Sequence, residues 1–239
     1  MLSEVQKRTA QAIVNIFETG RVRGDYGRVT LSPGDAGHLT YGRSQTTLAS
    51  GNLHLLIRTY CDNPRATYAK ALGAFLGRLA AADLGLDRDL AFRRVLKDAG
   101  ADPAMQEAQD HFFDMSYWMP AERAAVALAF TSALATAVIY DSHVHGSWST
   151  LRDRTSRARG EPAALGERAW VAAYVAERRG WLSAHPNPLL RRTAYRMDAF
   201  RLLIEAGNWA LGIPMQVRGI SIDRVSLGLS HSPVDGGAG

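Results

Sequence analysis

Two carboxylates in this chain of 239 residues are placed where they could do chemistry together. Glu18 lies in the stretch NIFETG, and Asp35 lies seventeen positions later in GDAGHLTYGRSQTT, residues 34–47. Cleavage of a glycosidic bond needs two such acids. One is a protonated group for the leaving oxygen, and the other is a base or nucleophile on the opposite face of the sugar. Glu18 follows Phe17, which would partly desolvate it, and it falls at the end of a helical pattern, facing the negative pole of the helix dipole. Asp35 sits among glycines in a turn, where water keeps a carboxylate ionised. Different surroundings are what separate an acid from a base. Spacing alone does not distinguish such a pair from two solvated surface acids.

The elements that must hold the two acids can be read from periodicity. Val5, Ala12, Ile13, Ile16 and Phe17 recur at helical spacing, with Ser3 as N-cap and Gly20 as the residue that stops the helix. Residues 21–47 read as β structure, with RVTL and HLTYG as strands and SPGDAG as the turn-rich stretch between them. From SGNLHLLIRTY onward the chain reads as helices. Breaks are expected at 62–64, 98–103, 119–120, 145–147, 158–162 and 185–188. The apolar run AAVALAFTSALATAVIY, 124–140, is too short and too rich in Ala, Ser and Thr to span a bilayer, and reads as one buried central helix. The fold class is therefore α+β, mostly α. One catalytic domain is expected over residues 1–225, with a flexible tail over 226–239.

Composition removes several other functions. The single Cys61 excludes an internal disulfide and reads as a structural thiol. No HExxH, CxxC, GxSxG or phosphate-binding loop is present, and His143 and His145 at a helix end read as structural, so neither metal nor cofactor is expected. The chain carries 28 Lys and Arg against 23 Asp and Glu, a net charge of +5. The basic residues are spread out and match no nucleic-acid module, so nucleic acid is not an expected partner. The N-terminus MLSEVQKRTAQ lacks the basic head and apolar block of a secretory signal. Synthesis in the cytoplasm, followed by release or delivery to a cell wall or periplasm, is the expected route.

The chain resembles the family 46 glycoside hydrolases, the chitosanase-like branch of the lysozyme-like superfamily. The resemblance rests on a helix ending in Glu18, then Gly34-Asp35, Thr40 and Gly42 in the β region. QEAQD (106–110), YDSHVHG (140–146), YVAERR (174–179) and FRLLIEAGN (200–208) follow in the same order. It implies two helical lobes with one small β-hairpin at the active-site cleft. Glu18 would be the general acid, Asp35 the base that activates water, and Thr40 a holder of that water. The anomeric carbon would be inverted, and the two carboxyls would lie ~6.5–9.5 Å apart. Asp141, Arg178 and Arg201 would form a buried charge network supporting Glu18, with Arg179 able to stand in Arg178's place.

For the substrate, Asn52 aligns where the family carries an Asp that contacts a substrate amine. An amide cannot pair with an ammonium by charge but can bond an acetamido group. A basic protein would also be repelled by chitosan and drawn to anionic wall polymer. These two points favour peptidoglycan and a muramidase, as a phage endolysin or an antibacterial effector. Chitosan hydrolysis, lytic transglycosylase chemistry and a non-catalytic wall-binding module are the alternatives. Alternation along 40–45 would put Thr40 and Gly42 on the sugar-facing side, with Gly42 allowing close approach and Tyr41 beside it as a further substrate contact.

Overall fold

Ser3 caps the first helix by accepting from the Gln6 amide, while the Gln6 side chain accepts from the Ser3 N–H, a reciprocal capping box. This helix, α1 (Glu4–Thr19), buries Ala12, Ile13, Ile16 and Phe17. It stops at Gly20, which is left-handed and returns its N–H to the Ile16 carbonyl. A computed structural model describes residues 2–31, 36–43 and 45–229. Asp35, and the tail residues 230–239 expected to be flexible, lie outside the described residues. Within the expected tail, residues 226–229 are tied down: Ser226 bonds Asp223, and Arg8 reaches the Leu227 carbonyl.

The described chain divides into two compact units, one of residues 1–23 with 117–239 and the other of residues 24–116. The second unit opens with a three-stranded antiparallel sheet, β1 (Val29–Thr30), β2 (Thr40–Tyr41) and β3 (Thr46–Thr47). Thr40 pairs with Thr30 on one side and Thr47 on the other. The expected hairpin thus has a third strand, formed after the turn at Gly42. Five helices complete the unit: α2 (Asn52–Cys61), α3 (Ala69–Gly73), α4 (Leu76–Ala80), α5 (Leu90–Ala99) and α6 (Pro103–Phe113), with a 3-10 helix at Leu84–Arg88. Leu39, Tyr41, Leu53, Leu56, Tyr60, Phe92 and Met105 form its core. QEAQD lies inside α6 rather than at its start, because Asp102 caps the helix and Pro103 takes its first position.

A π-helical turn, Asp114–Trp118, runs directly into α7 (Met119–Ala127), so Pro120 occupies a first-turn position rather than a break. The expected single helix over 124–140 is two. Ala129 is left-handed, Phe130 returns its N–H to Ala125, and Ser132 caps α8 (Ala133–Val144). All ten residues from Ala133 to Ser142 are buried, as expected of a helix that is apolar all round. The chain continues through α9 (Trp148–Arg159), α10 (Pro162–Leu165), α11 (Glu167–Ser183), α12 (Pro188–Arg191) and α13 (Tyr195–Glu205). α1, α7, α9, α11 and α13 pack against α8, and α10 and α12 pack on α11. A hairpin of β4 (Met215–Val217) and β5 (Ile220–Ile222) follows, joined by Arg218 and Gly219, both at positive φ. Among the described residues no helix is long and apolar enough to cross a membrane, and no group of three or more His, Cys, Asp or Glu could hold a metal.

Candidate active site

Glu18 stands on the last turn of α1 with 45% of its side chain exposed. Its Oε1 accepts from Arg196 Nη1 at 2.7 Å. Arg196 projects from the first turn of α13 and is itself buried. Its guanidinium lies over the Phe17 ring, 5.1 Å from the centroid, and donates through Nε (2.9 Å) and Nη2 (2.6 Å) to Asp141 Oδ1. Asp141, on α8, is fully buried and takes its second cation at Oδ2 from Arg178 Nη1 on α11 at 2.6 Å. Three helices thus meet on one carboxylate, and one of its two arginines hands a donor on to Glu18.

The balance of charge makes this arrangement tenable. Burial alone would push Asp141 up, but Arg196 and Arg178 outweigh it and hold the group below the usual carboxylate range. Arg196 is driven the other way: burial disfavours its charge, and Asp141 with Glu18 more than restores it. Two cations against Glu18 and Asp141 leave no net charge when all four are ionised, which is what a buried network needs. His145, the C-cap of α8, lies within hydrogen-bond distance of Arg178, with Nδ1 and Nη2 3.2 Å apart. Arginine only donates, so Nδ1 is the unprotonated nitrogen. Burial, then the nearby Arg196 and Arg178, lower His145 to about 4, so it is neutral at physiological pH.

Phe17 is fixed as firmly as its neighbour. Tyr195 and Phe200 meet its ring edge-on, and the Tyr195 hydroxyl donates to the Phe17 carbonyl at 2.8 Å. Arg218, from the turn between β4 and β5, covers the other aromatic, 3.9 Å from the Tyr195 centroid. Sequence reasoning missed both Arg196 and this hairpin.

The expected network therefore needs one correction. Arg178 and Asp141 are joined, and Arg179 instead pairs with Asp198. Arg201 is not part of the network. It is exposed and bonded to Glu205 at 2.7 Å, one turn along its own helix. The place given to it belongs to Arg196. A signal existed, because Arg196, Phe200 and Leu203 share the buried stripe of α13 whereas Arg201 lies off it. A charged residue on an apolar stripe is buried and must find partners.

In the second unit Thr40 is buried in β2, its hydroxyl 3.4 Å from the His38 carbonyl. Tyr41 does not face a substrate. It is fully buried, and its hydroxyl donates to the Leu96 carbonyl at 2.7 Å. Nor is Gly42 kept small for a sugar. It is left-handed at φ +68°, and a Cβ there would lie 2.1 Å from Gln109 Oε1. Gln109, buried on α6, accepts from the Arg43 N–H and donates to the Tyr26 carbonyl, while Asp110 bonds the Arg43 guanidinium and the Tyr26 hydroxyl. The close approach at Gly42 thus serves to lock the turn onto α6. Asn52 is exposed at the first position of α2, its N–H bonded to Ser50 Oγ. Trp148 packs against Trp170 and Tyr174 in the core.

The profile described as Glycosyl hydrolase family 46 matches residues 12–215. A chitosanase of Bacillus subtilis strain 168 is 29% identical over 231 residues, covering 91% of this chain and 83% of that protein. The crystal structure of the native chitosanase from Bacillus subtilis MY002 superposes with a TM-score of 0.73 at 28% identity, covering 93% of this chain and 100% of the other. A Gynuella sunshinyii family 46 chitosanase in complex with chitotetraose gives 0.70 at 25% identity, covering 93% and 98%.

These relatives overturn the expectation of a peptidoglycan muramidase, and with it that of an endolysin or wall-directed effector. That expectation rested on Asn52 and on net charge. Asn52 is a single exposed position, and the charge is unevenly divided. Residues 24–116 carry ten Lys and Arg against eleven Asp and Glu, while the rest of the chain carries eighteen against twelve. Substrate responds to the local potential of its site rather than to a sum over the chain. With its lysozyme-like helical fold and a profile match over most of its length, the chain belongs to glycosyl hydrolase family 46 and is a glycoside hydrolase of that chitosanase family.

Proposed function

We propose that this protein is a chitosanase, hydrolysing β-1,4 links between glucosamine units within chitosan chains. The observation that carries the reading is the similarity to chitosanases over nine-tenths of the chain. The Glu18–Arg196–Asp141–Arg178 relay supports it by giving one acid a fixed orientation. Arg196 holds Oε1 of Glu18, and Oε2 accepts no bond among the described residues. Oε2 would carry the proton given to the bridging oxygen as the C1–O bond breaks. Asp35 would take a proton from a water held by the Thr40 hydroxyl, and that water's oxygen would bond to C1 from the opposite face. The products would be a shortened chain and a reducing end of inverted configuration. Glu18 would be left ionised and Asp35 protonated, and exchange with solvent would reset both. No cofactor enters this scheme.

The test is turnover of chitosan by wild type, Glu18→Gln and Asp35→Asn. Removing a general acid or base is expected to lower kcat by roughly 10²–10⁴-fold. Wild-type activity on chitosan that survives both substitutions would reject the assignment.

A further inference from the structure

The 3-10 helix at Leu84–Arg88 has no role in the chemistry above, yet it is pinned at both ends and aims a buried carboxylate at β2. Arg78 donates through Nε to Asp83 Oδ2 at 2.7 Å and through Nη1 to Asp89 Oδ2 at 2.6 Å, bridging the residues that flank the helix. Asp83 also caps it by accepting from the Gly85 N–H. Between them Asp87 is buried, and its two oxygens take different partners. Oδ1 accepts the Leu39 N–H at 2.9 Å, and Oδ2 lies 2.8 Å from His38 Nδ1. His38 is left-handed at φ +60°, an uncommon state for a residue with a Cβ, and the Thr40 hydroxyl bonds its carbonyl. Strained backbone persists only where its surroundings hold it. Here the Leu48 N–H holds the Leu39 carbonyl at 2.8 Å from one side, and the Asp87 carboxylate supplies the two side-chain contacts to His38 and Leu39.

We propose that Asp87 is a positioning residue for hydrolysis: it fixes the bend at His38–Leu39 and so sets where the Thr40 hydroxyl stands. The inference rests on the role given to Thr40 above. In sequence, His38 lies two residues before Thr40, so a bend fixed here bears on the Thr40 side chain. A displacement of about 1 Å in a reacting group can cost of order 10²-fold in rate. A clamp on this bend would therefore act on turnover more than on substrate affinity.

The experiment compares wild type with Asp87→Ala and Asp87→Asn, measuring kcat and KM on chitosan and amide hydrogen exchange at Leu39 and Thr40. Asp87→Ala is expected to lower kcat about 10- to 100-fold with KM within about twofold, and to speed exchange at Leu39 while α2 and α6 keep their protection. Asp87→Asn keeps an oxygen for the Leu39 N–H and is expected to recover kcat to within about threefold of wild type. Should Asp87→Ala not fold, His38→Asn tolerates positive φ and removes the ring contact, and a kcat lowered about three- to tenfold at unchanged KM is expected. Unchanged kcat in the variant that folds would overturn the inference. So would a loss of protection throughout the unit, which would mark a merely structural role. Failure of the wild type to cleave chitosan would reject the proposed function instead, and unchanged exchange at Leu39 in Asp87→Ala would reject the clamp independently.

Discussion

At the residue scale, the most consequential position is Arg196. Its planar fork reaches Asp141 and Glu18 together, which a lysine's single ammonium could not do. Arg196→Ala would leave Asp141 buried with one cation and Glu18 without its fixed donor. We expect a loss of about 3–5 kcal/mol in stability and at least a tenfold fall in kcat. Arg201→Ala, five residues away on the exposed face, should change stability by less than about 0.5 kcal/mol and leave kcat unchanged. Thermal denaturation and chitosan kinetics on the pair check both outcomes. Glu18, Asp141 and Arg178 were legible from sequence because each lies in a stretch resembling a known pattern. Arg196 was not, because the resemblance drew attention to a neighbouring arginine, while the apolar stripe of α13 held the information.

At the element scale, the helices with clear caps were legible and those defined by packing were not. α1 announces itself by Ser3, Gln6 and Gly20. The boundary between α7 and α8 is hidden in an apolar run, and only Thr131 and Ser132 mark it. A long-range contact fixes that boundary. Glu167, in the first turn of α11, accepts from the Thr131 and Ser132 N–H groups and from the Thr131 hydroxyl. A carboxylate there satisfies amides that α8 leaves unpaired, and it meets the positive pole of that helix. Glu167→Ala is expected to cost about 1–2 kcal/mol in chemical denaturation, and Glu167→Gln less than half of that. The β4–β5 hairpin did carry a signal, alternating residues around Arg218-Gly219, but strands of three residues give periodicity little to act on.

At the scale of the whole molecule, the sequence yielded the fold class and misled on substrate. A net charge of +5 is true of the chain and says little about a site, because the excess belongs to residues 1–23 and 117–239. The same sites make stability depend on pH. His145 is held neutral down to about 4, against 6.5 for the free group. Between those values the unfolded chain binds the extra proton and the native protein does not. Stability should therefore rise with pH across pH 4–6.5, with a slope of at most about one proton from this residue. Asp141 adds a second contribution at lower pH. Its native value lies below the ordinary value for a carboxylate, so its stabilisation is full above the ordinary value and is lost as pH falls through the native one. Denaturation midpoints from pH 3.5 to 7 for wild type and His145→Gln would separate the two, the variant losing the upper part of the slope.

In the proposed reaction, Glu18 and a water activated by Asp35 cleave a glucosamine chain with inversion. The most direct measurement follows a fully deacetylated glucosamine oligomer by proton NMR during the first minutes of digestion. The new reducing ends are expected to appear first as the α-anomer and only later to equilibrate to the β form. Initial appearance of the β-anomer, or no cleavage of the oligomer by wild-type protein, would contradict it.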